Sequence, residues 1–347
     1  MTIVEAARGI TGGVDTHRDA HVAAALDPLG GLLGTESFST DATGYKALLS
    51  WLEGFGDVTK IGVEGTGSYG AGLARHLRRS GVEVIEVDRP NRQKRRSAGK
   101  SDPLDAVEAA RAALSGRATG TPKSRDGAVE AIRVLVVAKR SARQARVKAL
   151  TQMRHLGYSA PEQLRCRLKG LSVPALVAEG TRLRPTRSPD PVTAATKASL
   201  SSLAHRITAL DRELAELDAR IEALLVAAVP ALLSLFGVGP DTAAALVMAA
   251  GDNPERLHSE AAWAHLCGVS PIPTGSGKKG GKVRAHEGGD RQANSALWRI
   301  VMVRIAHDLE TQVYFERRVK EGRTKHEVIR ILKRYVAREV YRYLPRG

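Results

Sequence analysis

Four carboxylates carry the first chemical signal in this 347-residue sequence: Asp15, Glu64, Asp102 and Asp105. Asp15 closes a β-prone run that begins at Ile10, and Glu64 closes another that begins at Val58, so both acids are expected at strand ends. Asp102 and Asp105 stand three apart at the start of a predicted helix, on one face near its N-terminus. Pro103 suits that first turn. Phosphodiester cleavage uses two divalent cations roughly 3.5–4 Å apart, one activating the nucleophile and one stabilising the leaving oxygen. Mg²⁺ takes oxygen ligands and keeps waters, so three or four carboxylates suffice to hold it. Between the acids, Arg89, Arg92, Lys94, Arg95, Arg96 and Lys100 form a run with no acid among them, suited to phosphate contacts. Taken singly, Asp102 also reads as a helix cap and Asp15 as a turn residue; the joint arrangement is what points to a metal site.

A second candidate is Ser276, within residues 270–279 (Ser-Pro-Ile-Pro-Thr-Gly-Ser-Gly-Lys-Lys). Glycines on both sides let the backbone approach a phosphate closely. Lys278, Lys279 and Lys282 would stabilise charge on an attacked phosphoryl group. From composition alone such a stretch is more often a flexible basic loop than a catalytic one. Residues 232–243 resemble a helix-hairpin-helix, in which Gly237 and Gly239 permit a tight turn and the next helix offers amides to a DNA phosphate. A plain helix–helix turn fits them as well. His17 and His21 show no metal-ligand spacing and are read as surface or strand-edge residues. Asp290 is expected to cap a helix. No functional role is assigned to residues 283–286.

The elements that must position these groups fall into three parts. Residues 1–118 read as β-β-β-α-β-α-β, an α/β layer with three antiparallel strands first and Thr43 as a candidate helix cap. Residues 119–229 are helical: small or apolar residues recur from Ala128, and Leu200 to Ala228 alternate spacings of three and four, a coiled-coil pattern. Between them, residues 157–196 hold five prolines and are expected to form an irregular connector. The two long helices could fold back on each other or pair with another subunit; the exposed seam of a lone hairpin favours oligomerisation, as a dimer or tetramer. Residues 230–347 read as an all-α domain with a Gly-, Lys- and Pro-rich loop at 268–290.

Charge narrows the partner. The net is +16, of which residues 86–148 supply +9 and residues 312–347 supply +7. Cations concentrated in two stretches point to a polyanion. Neither stretch has the Trp/Phe/Leu face of a membrane-surface helix, so no membrane partner is expected. Aromatics are only 4%, which disfavours base stacking as the main contact. Two cysteines a hundred residues apart exclude a disulfide framework and a zinc ribbon and fit a reducing cytoplasm; no secretory leader is read at the start.

Residues 13–17 (Gly-Val-Asp-Thr-His), 62–66 (Gly-Val-Glu-Gly-Thr) and 100–106 (Lys-Ser-Asp-Pro-Leu-Asp-Ala) closely resemble the DEDD transposases, the "one-ten" family of bacterial insertion sequences. The likeness extends over essentially the whole chain. It implies a RuvC-like, ribonuclease H-type N-terminal domain, a coiled coil and a C-terminal transposase domain. It also implies that Asp15, Glu64, Asp102 and Asp105 bind Mg²⁺ and that Ser276 is a nucleophile forming a phosphoserine link to DNA. The family's motif has a serine where this chain has Gly275. Family members work as tetramers, with sites shared between subunits, and use a bridge RNA to choose donor and target DNA. Three rivals remain: a junction resolvase using the carboxylates alone, an actin-like kinase, and a catalytically dead nucleic-acid scaffold. The kinase leaves both basic stretches unexplained, and the intact acids and serine argue against the scaffold.

Overall fold

Strands β1 (Gly9–Thr16), β2 (Ala20–Leu26) and β3 (Leu32–Ser39) form an antiparallel meander, and β4 (Asp57–Glu64) and β5 (Glu83–Val87) add on as parallel strands. The resulting order is β3-β2-β1-β4-β5. The structure, a computed structural model, describes residues 9–87, 102–186, 188, 190–273, 283–286 and 288–345. Helices α1 (Ala42–Glu53) and α2 (Ala71–Arg79) cover one face of the sheet, burying Leu48, Leu52, Leu73 and Leu77 against Ile10, Val14 and Ile61. Helix α3 (Asp102–Leu114) covers the other through Ala106, Val107 and Ala110. Both faces are therefore buried, as a sheet with parallel crossovers requires. The expected strand and helix order holds. The cap of α1 does not: Asp41, not Thr43, accepts the Gly44 amide at 2.8 Å.

The helical middle is a long antiparallel hairpin. Helix α4 (Ala128–Tyr158) and helix α7 (Pro191–Ala228) pack against each other within the chain. The start of α4 meets the end of α7 through Val129, Ile132, Ile221 and Leu225. At the far end, Ala149 and Met153 meet Leu200, Leu203 and Ile207. The seam expected to drive oligomerisation is thus used, in large part, inside one chain. Residues 157–196 are not the irregular connector expected. They contain α5 (Glu162–Leu168), α6 (Val173–Arg182) and the first turns of α7. Pro161, Pro174 and Pro191 stand at the starts of these helices, where proline's fixed φ helps and its missing N–H costs nothing.

The remainder packs as a helical domain: α8 (Pro230–Leu233), α9 (Pro240–Ala250), α10 (Glu260–Leu266), α11 (Arg291–His307), α12 (Leu309–Lys320) and α13 (Lys325–Tyr341). Its core centres on Trp263, whose indole donates to the Ala337 carbonyl at 3.1 Å. The expected loop at 268–290 includes a small hairpin of β6 (Pro271–Pro273) and β7 (Val283–Ala285). Asp252 from this domain accepts the Val129 and Glu130 amides at 2.7 and 3.2 Å, capping α4 from outside. No helix among the described residues is long and apolar enough to cross a membrane.

Candidate active site

Two glycines make the carboxylate cluster possible. Gly13 and Asp15 share one face of β1, and Gly62 and Glu64 share the same face of β4. A Cβ on Gly13 would lie 2.2 Å from the Ala106 carbonyl oxygen, and one on Gly62 would lie 2.5 Å from the Ala109 carbonyl oxygen. Helix α3 therefore lies directly on the backbone of both strands. Its N-terminal turn, with Asp102 and Asp105, is carried to the strand ends where Asp15 and Glu64 stand. Strands β1 and β4 pair in parallel as far as Val14 and Val63, which sets Asp15 beside Glu64. The Thr16 hydroxyl donates to the Glu64 carbonyl at 2.8 Å and ties the two strand ends together.

Asp15 and Glu64 are nearly buried, whereas Asp102 and Asp105 are partly open to solvent. Burial pushes the Asp15 carboxyl above its ordinary range, His17 pulls it back, and Asp105 and Asp102 push in the same direction as burial. A buried carboxyl with two further carboxylates near it is a donor set that a hard divalent cation would relieve. The α3 N-terminus adds the positive end of its dipole to Asp102 and Asp105.

His17 belongs to this cluster. Its Nε2 lies 3.0 Å from Asp15 Oδ2 and 3.3 Å from Asp102 Oδ1. Ligand atoms of Asp15, His17 and Asp102 all fall within 4.8 Å of one another. His17 is at the strand edge as expected, 41% exposed just past β1, but it also contacts two of the acids. The available signal was parity: two residues past Asp15, the chain returns to the same face. The surface or strand-edge reading is corrected for His21, which is fully buried with its ring stacked on Tyr45 at 5.8 Å. Burial holds its imidazole below the ordinary histidine range.

Arg89, Arg92, Lys94, Arg95, Arg96 and Lys100 lie outside the described residues, but the chain on either side is placed. Val87 pairs with Glu64, and Asp102 touches His17. Ser276, Lys278, Lys279 and Lys282 also lie outside the described residues, within the connection between β6 and β7. Gly237 adopts φ 82°, and Gly239 precedes α9. The Gly239 amide is taken by Thr242 Oγ1 at 3.0 Å, Arg304 donates to the Phe236 carbonyl at 2.9 Å, and the Asp241 carboxylate sits in the first turn of α9. The preceding helix α8 spans only four residues. That arrangement suits a packed turn between helices better than a phosphate cradle.

Two family models match the chain. One, for the DEDD transposases of the IS110 type and described as "Transposase", spans residues 12–156; the other, "Transposase IS116/IS110/IS902 family", spans residues 229–316. Both matched regions of the chain are thus similar to transposases of the IS110 type. All four acids and His17 lie in the first match; Ser276 and the β6–β7 hairpin lie in the second. Among relatives, the "Insertion element IS110 uncharacterized 43.6 kDa protein" of Streptomyces coelicolor is 32% identical over 130 residues, covering 37% of this chain and 32% of that protein. The "Insertion element IS900 uncharacterized 42 kDa protein" of Mycobacterium paratuberculosis is 28% identical over 137 residues, covering 39% and 34%. The chain thus matches about a third of the length of each of these relatives.

Proposed function

We propose that this chain is an IS110-family transposase that cuts and exchanges DNA strands to move an insertion sequence. The observation that carries the reading is the cluster of Asp15, His17 and Asp102, with Asp105 near enough to act on Asp15 and Glu64 on the adjoining strand end, α3 being laid across Gly13 and Gly62. The donor set fits divalent metal, and Mg²⁺ is the ion we assign to it. Such an ion supplies Lewis-acid polarisation of a phosphate and charge neutralisation at the leaving oxygen. The protein's own residues supply the rest. Asp15 and Glu64, buried on neighbouring strands, form the rigid half of the ligand set; Asp102 and Asp105, on the open side, face the substrate. His17 orients the Asp15 and Asp102 carboxylates toward each other.

Ser276 is assigned as the nucleophile. Its Oγ forms a new bond to a DNA phosphorus as the bond to the adjacent nucleoside oxygen breaks. The serine proton passes to a base or water, and the leaving oxygen takes up a proton. Serine is a weak nucleophile at neutral pH, so this step needs the help of the carboxylate site or of a base. Arg89, Arg92, Lys94, Arg95, Arg96 and Lys100, with Lys278, Lys279 and Lys282, serve as phosphate contacts. Because the acids and Ser276 stand on different domains, a dimer or tetramer that shares sites between subunits completes the machinery. A bridge RNA is the proposed guide to donor and target DNA, and the cytoplasm, at the nucleoid, is the proposed place of action.

The test is an adduct assay with protein, RNA transcribed from the flanking DNA, end-labelled donor DNA and Mg²⁺ on a denaturing gel. A protease-sensitive shifted band that disappears in Ser276→Ala and in Asp102→Ala is the expected result. Free nicked DNA that persists in Ser276→Ala would replace the serine mechanism with a resolvase-type reaction on the carboxylates alone.

A further inference from the structure

The C-terminal domain contains a cationic cleft remote from the carboxylate cluster in sequence. Two cavities of about 410 and 380 Å³ open on either side of a common wall formed by His286, Asn294 and Lys333. Asn294, on α11, is held rigidly. Its amide nitrogen donates to the carbonyls of Cys267 and Gly268 at 2.8 and 3.1 Å, which fixes which end of the amide faces Lys333. The remaining oxygen accepts from Lys333 Nζ at 2.9 Å. His286, just after β7, stacks on His265 with ring centres 3.9 Å apart.

Lys333 is the unusual member. Its ammonium is partly buried, spends one N–H on Asn294 and keeps two for the cleft. Among the described residues no carboxylate pairs with it. The acids nearby are committed elsewhere. Glu327 closes the α13 capping box with Thr324, Asp290 caps α11, and Glu260 pairs with Arg334 and Arg338. Burial, and then the neighbouring Arg330, push the Lys333 ammonium below the ordinary lysine range. A desolvated cation without a counter-charge costs free energy unless an anion completes it. Further cations extend from this point in both directions: Arg330 and Arg323 line the first cavity, and Arg291 lines the second beside Trp298, which is 46% exposed. A row of cations over two adjoining cavities matches a chain of phosphates rather than one isolated anion. Ser270 and Pro271, at the base of the β6–β7 hairpin, also line the first cavity. The cleft therefore runs beside the hairpin whose connecting segment carries Ser276.

We propose that this cleft seats the DNA backbone next to the serine hairpin, with Lys333, positioned by Asn294, donating to one phosphate and Arg330 and Arg323 to its neighbours. The proposal rests on the reading of DNA as substrate. It goes beyond the family match, which ends at residue 316 and so includes none of these three cations.

The test uses the full-length protein and a fluorescein-labelled DNA duplex, followed by anisotropy across a salt series in EDTA, so that no chemistry is needed. Lys333→Ala and Arg330→Ala should each weaken binding about tenfold and lower the slope of log affinity against log salt by about one. Lys333→Arg should restore the slope, and Arg212→Ala, which removes an exposed cation of α7, should leave both quantities unchanged. Lys333→Ala and Arg330→Ala proteins with wild-type melting temperature, affinity and slope would overturn the proposal. If Lys333→Ala does not fold, Arg330→Ala decides alone, because that side chain is exposed. Loss of binding to a structured RNA of equal length, with DNA binding intact, would also overturn it. Wild-type protein that binds no duplex would sink the DNA-substrate reading itself, whereas wild-type adduct formation with unaffected variants would sink only the cleft.

Discussion

The Cβ that Gly13 lacks would lie 2.2 Å from the carbonyl oxygen of Ala106. No side chain fits that gap, because both walls are backbone: the Ala110 amide nitrogen is equally close. Gly13→Ala must lift α3 off β1 and move Asp102 and Asp105 away from Asp15. We expect a loss of about 1–3 kcal/mol in stability, from overpacking, with loss of metal binding exceeding what that destabilisation explains. Urea unfolding together with Mn²⁺ titration of the folded variant checks both parts. Wild-type Mn²⁺ affinity in Gly13→Ala would show that α3 does not set the site.

Asp15→Asn should stabilise the metal-free protein. The folded state raises the Asp15 carboxyl, so the charged form is disfavoured in the fold. The stability this group contributes is fully present below the ordinary carboxylate value and is lost as pH rises through the folded value. At neutral pH the charge is a net cost that asparagine removes. The expected pattern is a higher melting temperature than wild type in EDTA and a smaller upward shift on adding Mg²⁺. Equal Mg²⁺ shifts in the two proteins would remove Asp15 from the ligand set.

Lys123 anchors the segment between the α/β domain and α4, donating to the Met248 carbonyl at 2.5 Å. Burial, then Arg256, lowers its ammonium to about 8. The unfolded chain holds this proton up to the ordinary lysine value of about 10.4. Between these values the unfolded state binds more protons, so stability rises with pH. The free energy of unfolding, compared between pH 7.5 and 9.5, should increase more in wild type than in Lys123→Met. An identical pH dependence in the two proteins would contradict the assignment.

Lys139 is buried on α4 between Asp218 of α7 and Asp241 of α9, and so joins the helical hairpin to the C-terminal domain. Burial opposes its charge, but the two carboxylates outweigh it and raise the ammonium. Removing a fully buried partner costs about 3–5 kcal/mol. Asp218 and Asp241 are about half exposed and regain water, so Lys139→Met should cost nearer 1–2 kcal/mol. Adding Asp241→Asn should recover part of that loss in urea unfolding; no recovery would mean the lysine acts through packing alone.

Local pattern determined much of this protein. Alternation and turn residues mark β1 to β5, and the periodicity from Ala128 and from Leu200 marks the two long helices, because each signal is carried by neighbours in the chain. The motifs around Asp15, Glu64 and Asp102 likewise single out the acids from local sequence. Three things were decided only by tertiary structure. His17 joins the acids because α3, some eighty-five residues later, is laid over the strand that precedes it. The amphipathic seams pair within one chain because α5 and α6 turn it back between α4 and α7; an apolar stripe states that it must be buried but not by what. Asp252 caps a helix more than a hundred residues earlier, and Lys333 meets Asn294 across two helices. Sequence spacing constrains only groups on one element, whereas a cap, a cleft or an ion pair between elements depends on how those elements pack.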